Sequence, residues 1–174
     1  MQWRYALNID WEFNGLPLHV LIVHAVVIVV PLAALCALLT AFWPAARRRL
    51  GIVTPLVALA ALVLVPLAVQ AGEWLQSRLV NVTPLLGTHT SLGNTLLPWV
   101  IALFLVAALQ WFWYRYVTAE GARFASALPH GTGRLAATIV LDLMVLVSAL
   151  GSVVTVALIG ESGSRAVWTD LFTS

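Results

Sequence analysis

The chain has 174 residues, of which 61% are hydrophobic and only 9% charged, with a formal net charge of +2. A soluble domain carries about 25% charged residues, so this composition excludes a water-soluble globule and points to a bilayer. The small arginine excess excludes nucleic acid as a partner, and the placement of the arginines bears on topology instead.

Residues 1–15 form the first predicted element. Trp3, Tyr5, Trp11 and Phe13 lie there among polar residues, a mixture suited to the headgroup region, so the segment reads as interfacial. It contains Arg4, Asp10 and Glu12 and no apolar core, so no cleavable signal is expected ahead of the first span. Gly15 and Pro17 punctuate the start of that span.

Four apolar runs follow, at about 18–43, 52–71, 96–116 and 135–159, each reaching the roughly 20 residues that a spanning helix needs. A tight basic turn is expected at Pro44–Leu50 between the first two. The stretch from Thr118 to Gly133 separates the last two. Six arginines belong to these connections or their edges, and Arg4, Arg78 and Arg165 share the opposite side with most of the acids. The positive-inside rule then predicts an all-α, four-helix transmembrane bundle in a single domain, with both termini on the non-cytoplasmic side. A bacterial inner (plasma) membrane is the expected location, because the chain is rich in Ala, Val and Leu and its basic residues are all arginine. On that reading the glycosylation sequon at Asn81-Val-Thr83 carries no meaning.

The connection from Gly72 to Gly93 is the longest and least apolar. Thr83-Pro84 reads as an N-cap with proline at the first helical position, so a helix is predicted to begin there and run into the third span. Pro31, Pro66 and Pro98 fall inside spans and are expected to shape the bundle. Ser148, Gly151 and Ser152 offer a small-residue surface for close packing of the fourth span. Cys36 reads as a small core residue. No internal repeat is apparent by residue alignment.

Polar groups within the spans sort into two layers. The outer layer draws on every span: His19 and His24, then Gln70 and Glu73, then His89, then Glu161. Imidazole and carboxylate converging from several helices is how bundles build haem or metal sites. His19 and His24 are about 140° apart around a helix, so one small ion does not take both. His24, the deeper, is the expected interior ligand, with His89 opposite, His19 as a further cofactor contact, and Glu73 and Glu161 completing a metal set. The alternative has each histidine hydrogen-bonded between helices as glue. In the inner layer Asp142 needs a partner, and Gln110 or Arg115 is expected to supply it. His130 reads as a solvated loop residue.

The paired histidines of Gly15-Leu-Pro-Leu-His-Val-Leu-Ile-Val-His24, then Ala71-Gly-Glu-Trp74, His89, and Gly160-Glu-Ser-Gly-Ser-Arg-Ala-Val-Trp168 resemble the bacterial membrane-protein family catalogued as domain of unknown function 2231. The resemblance covers nearly the whole chain and implies a four-span module of unassigned function. Relatives joined to Rieske-type iron–sulfur domains imply an electron-transfer setting. This chain departs from the family pattern in two places. It has His19-Val20 where relatives often read His-Pro, and Glu161 where they often carry histidine, which puts a ligand at that last position in doubt.

The leading expectation is therefore a membrane module with an outer-leaflet His/Glu site, holding b-type haem or a metal for electron transfer to a redox partner. The alternative is a non-catalytic accessory subunit that docks a membrane partner. Neither reading gives the chain enzyme activity of its own.

Overall fold

The computed structural model describes residues 11–79, 82–119, 121, 123–124 and 131–168. Residues 1–10, most of the segment expected to be interfacial, lie outside them, as do Asn81 and His130.

The described chain opens on a two-stranded antiparallel hairpin that pairs β1 (Glu12–Phe13) with β2 (Leu16–Pro17). Asn14 and Gly15 turn it with φ of 51° and 76°. Two successive positive φ values make the tight turn whose twist matches a hairpin, and Asn-Gly is the dipeptide that adopts it most readily. The Leu18 amide donates to the Trp11 carbonyl at 2.7 Å, which ties the hairpin to the first helix.

Five helices follow: α1 (Leu18–Phe42), α2 (Pro44–Leu50), α3 (Val53–Ser77), α4 (Pro84–Tyr116) and α5 (Thr132–Trp168). All but α2 are long and apolar enough to cross a membrane. Even the 25-residue α1 and α3 reach about 37 Å at 1.5 Å per residue, against a hydrocarbon core of about 30 Å. The chain is a multi-pass membrane protein by this criterion.

Several predicted boundaries move. The Pro44–Leu50 segment is a short helix, not a turn, with proline at its start and Gly51 just beyond its end. Helix α4 begins at Pro84 as predicted, with the Thr83 hydroxyl accepting from the Leu86 amide at 3.3 Å. Helices α3 and α5 run past the apolar windows because backbone hydrogen bonds continue wherever water, as well as lipid, surrounds the ends.

Around the bundle the order is α1, α3, α4, α5, with α1 and α4 on one diagonal and α3 and α5 on the other. The interior is built of small side chains, among them Ala33, Ala37, Ala61, Ala107 and Ser152 at 0% exposure. Large aliphatics such as Ile28, Leu105 and Val147 stand outward. This inversion is what lipid favours: tails solvate leucine well, so helices gain by close backbone approach rather than by hiding apolar bulk.

The two halves of the bundle repeat each other. When α1 is laid along α4 with His19 on His89, the buried Val26, Val30, Ala33, Ala37 and Thr40 fall on the buried Leu96, Val100, Leu103, Ala107 and Gln110. When α3 is laid along α5 with Gly72 on Gly163, the buried Thr54, Ala58, Ala61 and Val65 fall on the buried Val145, Ala149, Ser152 and Val156. The repeat lies in the burial pattern, and the residue letters conceal it.

Candidate functional site

His19 stands in the first turn of α1, immediately after the hairpin fixes the start of that helix. Its Nδ1 is 2.9 Å from the Ala68 carbonyl on α3. The ring lies against Gly72, where an added Cβ would come 2.9 Å from Cε1 and 3.0 Å from Nδ1. His89 on α4 repeats the arrangement. Its Nδ1 is 3.2 Å from the Ile159 carbonyl and 3.0 Å from the Ser162 hydroxyl on α5. Its ring lies against Gly163, where a Cβ would be 3.0 Å from Cε1. In each half, then, an imidazole binds the carbonyl one helical turn before a glycine and rests on that glycine's bare Cα.

These contacts fix the tautomer. A carbonyl oxygen only accepts, so Nδ1 carries the proton in both rings. The Ser162 hydroxyl spends its own proton on the Ile159 carbonyl at 2.9 Å and accepts from His89. Among the described residues Nε2 of neither ring has a hydrogen-bond partner, and in a neutral imidazole of this tautomer Nε2 carries the lone pair that a metal requires.

Both histidines line one cavity of about 320 Å³ among α1, α3, α4 and α5. Its walls are mostly apolar, with Val23, Val26, Val65, Val69 and Leu96 among them, and Glu73, Gln76 and Asn94 also contribute.

The other expected site residues are placed elsewhere. His24 is exposed, and its Nδ1 bonds the Val20 carbonyl of its own helix at 2.5 Å. With His19 turned to α3, a residue five positions on points away from the bundle, so His24 is not the interior ligand and does not meet His89. Glu161 is also exposed and pairs with Arg165 at 2.6 Å. Glu73 lines the cavity but is exposed. Among the described residues no group of three or more His, Cys, Asp or Glu is placed to hold a metal ion. The expected four-residue set of His24, His89, Glu73 and Glu161 is not brought together.

At the opposite end of the bundle Asp142 accepts from the Tyr114 hydroxyl, at 3.1 Å and 3.4 Å to its two oxygens. Neither Gln110 nor Arg115 is its partner. Gln110, fully buried, donates from Nε2 to the Ala37 carbonyl at 3.3 Å, and its Oε1 has no partner. Arg115 lies over the Tyr116 ring. Tyr114 is the residue sequence reasoning missed; it sits one turn beyond Gln110, where its hydroxyl reaches the depth of Asp142.

The expected small-residue face is used inside the bundle. Ser148 and Ser152 are buried. The Trp99 indole covers Gly151 so tightly that a Cβ there would sit 2.2 Å from the ring. Gly151 on that face is thus taken up by α4.

No protein-family model, curated protein or solved structure matches this chain significantly.

Proposed function

We propose that this protein is a membrane electron-transfer module that holds one b-type haem between His19 and His89. The observation that carries the reading is the matched pair of imidazoles, each with Nδ1 on a backbone carbonyl, a glycine beneath the ring, and Nε2 uncommitted beside a shared apolar cavity. Orientation of a ligating histidine through its second ring nitrogen is the usual support for metal ligation. Haem would suit two histidines better than a bare ion would, because it would ask the protein for only two ligands, which Nε2 of His19 and of His89 would supply. When bound, haem supplies one-electron chemistry, and the protein's part is to fix ligand geometry and exclude water.

The resemblance to the family of domain of unknown function 2231, with its Rieske-joined relatives, supports a redox setting. The positive-inside rule supports placing the arginine-rich end in the cytoplasm and the histidine end on the other side of a bacterial inner membrane.

The test is an absorption spectrum of the full chain purified from a haem-replete native host, oxidised and then reduced with dithionite. A Soret band that moves on reduction, and is lost in His19→Ala and His89→Ala, is expected. A spectrum without a Soret band overturns the assignment.

One observation favours a second reading, in which the chain is an accessory subunit and the histidines are structural. Both Nδ1 bonds run between helices, and such intramembrane bonds are worth about 0.6–2 kcal/mol each. On that reading alanine at His19 or His89 lowers stability and removes no chromophore.

A further inference from the structure

The other end of the bundle carries a second cavity, of about 620 Å³, between α2 and the C-terminal part of α4. Three arginines line it, Arg47, Arg48 and Arg115, together with Tyr114, Trp111 and Thr118. No Asp or Glu is among its lining residues. One carboxylate, Asp142, reaches this group through the Tyr114 hydroxyl, so among the described residues three guanidinium charges stand against one carboxylate.

The three arginines are not equivalent. Arg47 is fixed: its Nε and Nη2 donate to the Thr40 and Ala41 carbonyls at 2.8 Å and 2.6 Å, at the end of α1. Its guanidinium lies 3.4 Å from the centre of the Tyr114 ring. It caps α1 and holds a permanent charge at the cavity wall. Arg48 and Arg115 are exposed, and neither meets a carboxylate in the described structure. Three like charges around one cavity repel, and an anion relieves that repulsion. A phosphate group matches guanidinium forks in shape as well as charge.

Depth selects the source of that phosphate. The cavity lies where the apolar parts of α1 and α4 end, with Trp111 in its wall and Trp43 exposed beside it. Tryptophans mark the headgroup level of a bilayer, the depth at which lipid phosphates sit. Basic pockets between helices at this level suit acidic headgroups.

We propose that this cavity binds the phosphate of an anionic phospholipid, with Arg48 and Arg115 as its ligands and Arg47 as a fixed third charge. The assignment does not depend on haem at the other end.

The test is native mass spectrometry of the full chain in detergent, titrated with dioleoyl phosphatidylglycerol, with the phosphatidylcholine of the same chains, and with inorganic phosphate as competitor. Retention of one phosphatidylglycerol in preference to phosphatidylcholine is expected. The double variant R48Q/R115Q should bind phosphatidylglycerol roughly 30-fold more weakly, the loss of two basic contacts. The variant R48K/R115K, which keeps the charge and loses the forks, should also bind more weakly, and it serves as the readout if the glutamine variant does not fold. Equal retention of the two lipids, or unchanged phosphatidylglycerol binding in either double variant, overturns the proposal. Displacement of the lipid by inorganic phosphate at equal concentration also overturns it, by assigning the site to a free anion.

Discussion

The imidazole of His19 rests on the bare backbone of Gly72, so close that one added carbon would come within 2.9 Å of the ring. Gly72→Ala must therefore push the ring away and weaken its bond to the Ala68 carbonyl. Forcing an extra methyl into a packed site costs about 1–3 kcal/mol. Gly163→Ala should behave alike beneath His89. Gly160→Ala is the internal control: nothing lies within 4 Å of its added carbon, so stability should hold or rise slightly, alanine being the better helix former. Chemical unfolding of the three variants in detergent checks this.

His24 and His19 separate the two faces of α1. His24→Ala removes an exposed ring that bonds only its own helix, so the change in stability should stay within about 0.5 kcal/mol. His19→Ala breaks a bond between α1 and α3 and should cost about 0.6–2 kcal/mol. In a haem-loaded preparation the same pair should divide again, with the Soret band kept in His24→Ala and lost in His19→Ala. Loss of the band in His24→Ala alone would return the ligand to the exposed face.

Trp99 and Gly151 form the tightest contact any glycine here makes with a side chain, a Cβ at Gly151 falling 2.2 Å from the indole. Gly151→Ala should destabilise by about 1–3 kcal/mol or more. The corresponding positions in the other half hold Val29 and Ala60, a small–small pair. Trp99→Val in the Gly151→Ala background imitates that pair and should recover part of the loss. A double-mutant cycle measures the coupling, expected at about 0.5–3 kcal/mol for residues in contact. Additivity would show that the two side chains do not share one space.

Tyr114→Phe deletes the hydroxyl that Asp142 accepts from. A fully buried acceptor left without its donor costs about 1–3 kcal/mol; Asp142 is half-buried, so the loss should fall at or below the lower end of that range. Asp142→Asn keeps an acceptor for the same hydroxyl and should cost less. Gln110→Met and Arg115→Gln, at the partners expected from sequence, should leave the Tyr114–Asp142 bond intact. Thermal unfolding of the four variants ranks them.

The spans were legible because lipid imposes a length and a composition that few other environments demand. The start of α4 was legible as well, Thr83 and Pro84 being the residue types that begin a helix. Helix α2 was missed because its three arginines drew attention to charge, although Pro44 and Gly51 bracket it as a helix start and stop. The outer site was half legible. Residue types and depth brought His19, His24 and His89 together, but nothing in the letters fixes the rotation of α1. That rotation follows from which residues pack inward, and a helix apolar on every side does not reveal it. The internal repeat stayed hidden for a related reason. Valine pairs with leucine and threonine with glutamine across the halves, so burial repeats where identity does not. Tyr114 was invisible as the partner of Asp142 because the pair joins different helices at a depth that only the packing sets.

A smooth helix in lipid has little to stop it sliding along its neighbour, since one aliphatic surface grips another about equally well at every turn. Gly151 acts as a notch for Trp99. Moved by one turn, the indole would meet Val147 or Thr155, neither of which leaves it room. Because α5 is a single continuous rod from Thr132 to Trp168, that detent near its middle also sets how high Ile159 and Gly163 stand beside His89. The depth of the imidazole site is thus calibrated by a mechanical stop in the greasy middle of the bundle, roughly two to three turns from the ring nitrogen it serves.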